Sequence, residues 1–246
     1  FLGMALLALW SFAGLWQFPA LLPDTLTART WAAALPRIVD PLLTTLSVGA
    51  LSTLAAILLA LGCLEREFAT GRSGGQRALL AIYLPLIVPQ ISFVFGLQVL
   101  VLASGTNQRY LMLVLMHLVF VLPYVFLSLS GAWRAFDRRY DMVAASLGRP
   151  RLSVLIFIRI PMLARAILPA AAVGFAVSVG QYLPTVLIGE GRLPTIATEA
   201  VALASGGNRR VIGVYALLQT ILPFLAFVLA SLVPAILFGR KRGMRL

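Results

Sequence analysis

The chain has 246 residues, of which 61% are apolar and only 11% charged, with a formal net charge of +12. Soluble domains carry about 25% charged residues, and β-barrel strands alternate rather than run continuously apolar, so neither class fits. The surplus arginine reads as helix orientation and contact with lipid headgroups; nucleic-acid binding is not expected, since no soluble portion exists to carry it.

Uncharged runs cover 1–23, 41–64, 78–108, 110–133, 166–189 and 211–239. Each exceeds the roughly 20 residues a helix needs to cross hydrocarbon. The expectation is an all-α, polytopic membrane protein forming one domain over 1–246. Its six transmembrane helices have cores near 2–18, 42–63, 80–103, 110–131, 167–188 and 212–237. The first run lacks the basic leader of a signal peptide. The start at Phe1, without methionine, points to a cut or processed first helix or to sequence upstream. Cys63 is the only cysteine, which excludes an internal disulfide.

The loops 24–40 and 189–211 are the longer connections on one side. In the second, Pro194–Ala204 predicts a short helix ended by Ser205-Gly206-Gly207-Asn208. That helix is either a docking point for an external partner or a plain connector.

The segment 133–161 interrupts the pattern. Trp133, Phe136, Tyr140, Val143 or Ala144, and Leu147 recur at spacings of three and four and share one helical face. Arg134, Asp137, Arg138 and Asp141 fall largely elsewhere. Gly148 suits a C-terminal cap, and Pro150 prevents continuation. Leu152–Ile158 is apolar but too short to span, and should lie along the interface before the chain enters the next span at Pro161. Such an amphipathic helix either docks in a groove of a partner or rests on lipid. With 134–165 in the cytoplasm, that side holds fourteen Lys and Arg against six opposite. This positive-inside pattern puts both termini in the cytoplasm.

The predicted spans hold no acidic residue and no Lys or Arg away from their ends. An ion-coupled secondary transporter, the competing reading, keeps an ionisable group near mid-membrane. Energy is therefore expected from outside the chain. With no Gly-rich loop ending in Lys-Ser or Lys-Thr, the chain is not itself the ATPase. Gln90, Gln98, Ser178, Gln181 and Tyr182 are candidates for a translocation path, with hydrogen bonding between helices the equal alternative. His117 reads first as a packing hydrogen-bond donor. Pro85, Pro89, Pro123 and Pro184 mark kinks. No clustered nucleophile, base or metal-ligand set suggests an enzyme or a fixed metal.

Met142-Val143-Ala144, three residues, Gly148, nine residues, then Ile158-Arg159-Ile160-Pro161 resembles the Glu-Ala-Ala loop of permeases in binding-protein-dependent ABC importers. Met142 stands where that family usually has Glu, and Asp141 is one position earlier. Pro41-Leu-Leu-Thr-Thr-Leu is similar to the family's opening of the second span, with Thr44 for Asn. Gly180-Gln-Tyr-Leu-Pro-Thr-Val-Leu-Ile-Gly-Glu-Gly191 resembles the branch importing thiamine, ferric iron, spermidine or putrescine, and most of all the second half of fused thiamine-type permeases. The resemblance implies the type I importer membrane-domain fold in the bacterial inner membrane. It also implies two ATPase subunits carrying ATP-Mg, a second permease half (fused or separate) and a periplasmic substrate-binding protein. This chain would then hold no cofactor. The ATPase-coupling residues it implies are Trp133, Phe136, Arg138, Arg139, Tyr140, Asp141, Met142, Val143, Ala144, Leu147, Gly148 and Pro161.

Overall fold

The computed structural model describes residues 2–16, 21–71, 75–105 and 107–238. Arg72 and the basic tail 240–246, both counted in the charge asymmetry, lie outside the described residues, as do positions 17 and 18 of the first expected span.

The described residues are helical almost throughout, as the continuous apolar runs require. The frame is built on α2 (Arg29–Thr70), α5 (Arg109–Arg134) and α9 (Ala164–Val179). At about 1.5 Å per residue, α2 is roughly 60 Å long and joins the two ends of the bundle. These three helices approach closely because small residues line their contact. A Cβ added at Gly174 would lie 2.7 Å from Val125 Cγ2 and 3.1 Å from Thr53 Cγ2. Ala56, Ala60, Leu64, Val121, Phe126, Leu129 and Ala170 fill the adjoining core. Packing of small residues, not exclusion of water, holds helices together in hydrocarbon.

Around this frame, α1 (Leu2–Phe12) crosses α12 (Arg209–Phe238) at Gly213, where an added Cβ would meet the Leu7 carbonyl oxygen at 2.9 Å. The short helix expected within 194–204 is α11 (Ile196–Ala204), opened by a capping box between Thr195 and Thr198. The Thr45 hydroxyl of α2 accepts from the Ile196 N–H at 2.9 Å, pinning α11 across the end of the bundle.

The span count differs from the sequence expectation. The run 80–103 is two helices, α3 (Gln76–Ile87) and α4 (Gln90–Ala103), meeting at 108°. Pro89 pushes the residue before it out of the helical region, and Val88 is accordingly extended at ψ 138°. The run 167–188 breaks at Gly180–Gln181 into α9 and α10 (Tyr182–Gly189). Among the described residues of the first run, α1 covers 11. Among the described residues, three helices are long and apolar enough to cross a membrane singly, or up to five spans if each bent pair counts once. The described residues thus form an all-α membrane protein with three to five candidate spans, where the sequence leads to an expectation of six.

After α5 come α6 (Arg139–Ser146) and a rod, Arg151–Met162, that meets α9 at 77°. The rod consists of α7 (Arg151–Val154), a π-helical turn (Leu155–Arg159) and α8 (Ile160–Met162). Leu152–Ile158 thus lies at a steep angle to the span it feeds. Leu152 and Phe157 are exposed, while Val154 and Arg159 turn inward.

Candidate functional site

Two polar assemblies stand out in a chain so poor in charge. The first is at the loop end of the bundle. α5 stops at Arg134, and the Asp137 carboxylate accepts from the Arg139 N–H at 2.9 Å as α6 begins. At the other end of α6, Gly148 is left-handed at φ 70°. The Gly148 N–H donates to the Ala145 carbonyl at 2.9 Å and the Arg149 N–H to the Ala144 carbonyl at 3.1 Å. That paired closure is a Schellman cap, which favours glycine at its left-handed position.

Arg159 fastens this helix to the bundle. The π-helical turn carries its side chain inward, where it is 4% exposed and pairs with both Glu65 of α2 and Asp141 of α6. The guanidinium carbon sits 3.9 Å from the Phe68 ring centre, with the Phe136 and Trp133 rings at 5.4 and 5.6 Å. Two more arginines add to the join. Arg134 pairs with Glu67 at 3.0 Å, and Arg138 donates to the Phe68 carbonyl at 3.3 Å. A buried guanidinium is stable here because carboxylates and aromatic faces together replace its water.

This arrangement redistributes the residues expected on the coupling face. Trp133, Phe136 and Ala144 are buried against the bundle. Trp133 and Phe136 precede α6 and belong to the core. Asp141 is committed to Arg159 and so is not free to stand in for the family's Glu. Tyr140, Met142, Val143 and Leu147 form the exposed apolar face of α6, with Met142 63% and Leu147 74% exposed. Arg138, Arg139 and Gly148 are also exposed, and Pro161 is half-buried within the rod. Sequence reasoning passed over Arg159 and Glu65. The only local signal was a charged residue at the unspecified position of Ile-x-Ile-Pro.

The second assembly runs through the middle of the bundle. Thr185 donates to the Gln181 carbonyl at 2.6 Å, so its oxygen accepts from His117 Nε2–H at 3.0 Å. His117 Nδ1 then accepts from the Ser178 hydroxyl at 2.7 Å, and Ser52 donates to Ser178 at 3.4 Å. Gln181 accepts from Gln90 Nε2 at 2.8 Å, and Gln98 Nε2 donates to the Leu187 carbonyl at 3.2 Å. One chain of hydrogen bonds thereby links α2, α9, α5, α10 and α4. Of the residues expected on the path, Ser178 and Gln181 are buried in this chain and Tyr182 is half-buried beside it. Gln98 is half-buried and Gln90 exposed at its edge. Ser52 and Thr185 were not foreseen, because isolated hydroxyls in an apolar helix give no periodic signal. Among the described residues, no three His, Cys, Asp or Glu side chains gather closely enough to hold a metal ion.

No family model matches the chain. It is 36% identical over 206 residues to the Inner membrane ABC transporter permease protein YnjC of Escherichia coli (strain K12), covering 84% of this chain and 39% of that protein. It is 21% identical over 152 residues to the Spermidine/putrescine transport system permease protein PotC of Haemophilus influenzae, covering 62% of the chain and 59% of the relative. A PotC homolog of Mycoplasma pneumoniae is 23% identical over 209 residues, covering 83% of the chain and 72% of the relative. The chain thus spans about two-fifths of the first of these relatives and about three-fifths of the second.

Proposed function

We propose that this chain, which belongs with the permeases of ABC transporters, forms one membrane-embedded half of an ATP-driven importer. It is a conduit and not a catalyst: ATP-Mg is bound and hydrolysed on two separate ATPase subunits. A second permease half completes the path, and a binding protein delivers cargo at the end remote from α6. Residues 1–246 act as one membrane domain, with both termini on the ATPase side.

The observation that carries this reading is the form of α6. It is a short helix with an exposed apolar face at Tyr140, Met142, Val143 and Leu147, fixed to α2 through Arg159. An amphipathic helix resting on lipid would need no such rigid join. A helix that must pass force from a moving partner into the spans does. Exposed Arg139, Arg149 and Arg151 offer charge-assisted bonds to acidic groups around the partner's groove.

The cargo is a small cation of the thiamine, polyamine or iron type. The exposed and half-buried polar groups along α4 and α10 (Gln90, Gln98, Tyr182) supply amide and hydroxyl oxygens and an aromatic face, and the Arg109 that lines the cavity beside Gln98 is paired with Glu190. The test is disulfide trapping. With Cys63 replaced by Ser, Val143→Cys should cross-link to a cysteine in the ATPase groove, and the link should block substrate-stimulated ATP hydrolysis. Absence of cross-linking together with unchanged hydrolysis in a Gly148→Leu variant would sink the coupling assignment. Uptake driven by an ion gradient without ATP would favour a secondary carrier instead.

A further inference from the structure

We propose that the cavity at the end of the bundle opposite α6 is a binding site for the phosphate of an anionic phospholipid. The inference needs only the membrane placement of the chain, not its role in an importer.

The cavity measures about 910 Å³ and lies between α1, α2, α11 and α12. Arg29 and Arg37 enter it from the first turns of α2, and Arg209 and Arg210 from the first turn of α12. Glu199 of α11 is the one carboxylate among its lining residues. Among the described residues, none of the four arginines has a carboxylate within 4.0 Å, whereas Arg109 is paired with Glu190 at 3.3 Å. Six arginines were assigned to this side of the membrane, and four of them converge here.

Charge of one sign gathered in a concave site raises the local concentration of counter-ions. Guanidinium forks fit phosphate oxygens in pairs. The helix starts add to this, since the N-termini of α2 and α12 both bear the positive end of the helix dipole at the cavity. The geometry therefore calls for an anion with several acceptor oxygens.

The surroundings favour one attached to lipid over one free in water. Trp10, Ala33, Leu203 and Val211 give the cavity an apolar floor, and the Arg209 guanidinium lies 5.4 Å over the Trp10 ring. Immediately beyond Arg37, α2 presents Val39 and Leu43 to its surroundings at 47% and 58% exposure. A phosphodiester held by the arginines can lay its acyl chains along this surface. The bound headgroup would tie the starts of α2 and α12 to α11.

Native mass spectrometry of the delipidated full chain in detergent tests this, titrating phosphatidylglycerol, phosphatidylcholine and inorganic phosphate. The expected result is at least a tenfold preference for phosphatidylglycerol over phosphatidylcholine. Arg37→Gln with Arg210→Gln should abolish that preference, while Arg109→Gln should leave it intact. Circular dichroism establishes that the double variant folds. If it does not fold, Glu199→Gln serves instead: removing the carboxylate should tighten phosphatidylglycerol binding several-fold. The proposal is overturned by equal retention of the two lipids or by unchanged retention in the folded variants. It is likewise overturned if inorganic phosphate, or an acidic peptide from a partner, binds where phosphatidylglycerol does not.

Discussion

Replacing Arg159 with methionine keeps much of the stem's volume and removes the charge that joins α6 to α2. Glu65 and Asp141 would then face one another with no cation between them. Breaking a buried ion pair from one side costs about 3–5 kcal/mol. Here the carboxylates keep 25% and 24% of their side-chain surface exposed, so water can partly take over. That reduces the ionic part to about 2 kcal/mol. Loss of the stacking over Phe68 adds about 1 kcal/mol. The sum, about 3 kcal/mol, corresponds to a factor of roughly 150 in the opening equilibrium of α6. Hydrogen exchange of the peptide covering 139–148, measured in nanodiscs, reads that opening directly, and core amides of α5 provide an internal reference. Arg159→Lys should fall between the two, because a single ammonium cannot bridge both carboxylates as the planar fork does. Exchange of α6 in Arg159→Met within threefold of wild type would refute the clamp. It would mean that Arg138, through the Phe68 carbonyl, suffices to hold the helix.

Other substitutions probe the remaining joins. Gly148→Ala should destabilise the end of α6 by about 1–2 kcal/mol, because φ is 70° although nothing lies within 4 Å of the added Cβ. Gly148→Asn should restore most of the loss, and an unchanged melting temperature for the alanine variant would show that the Schellman cap does not contribute. His117→Leu should cost about 1–3 kcal/mol, since Ser178 loses its acceptor and Thr185 its donor in a dry interior. Thermal unfolding in detergent checks this, and a variant as stable as wild type contradicts the continuous hydrogen-bond chain. Gly174→Val places methyl groups against Val125 and Thr53, so a loss of about 3 kcal/mol or more and a shifted α5–α9 contact are expected. Normal expression and stability would mean that the contact is looser than its geometry.

The sequence alone carried the membrane class, the cores of the long helices, the glycine end of α6 and the short helix α11. Each of these depends on local pattern: uninterrupted apolar runs, a glycine after an amphipathic stretch, and a helix-length segment closed by Ser205-Gly206-Gly207-Asn208. It also carried the family, through a spacing of residues that survives in linear order. It did not carry which way a face points. Trp133 and Phe136 share a period with Tyr140, Val143 and Leu147, yet the chain turns between Arg134 and Arg139, and that turn sends the first two into the core. Only the tertiary structure made that separation. It also brought Arg159 to Glu65, 94 positions away, and His117 to Ser178, 61 positions away. Periodicity reports which residues lie together on one element. What that face meets depends on how the elements pack, and in an apolar chain the few polar groups must find each other across helices because no water is there to satisfy them.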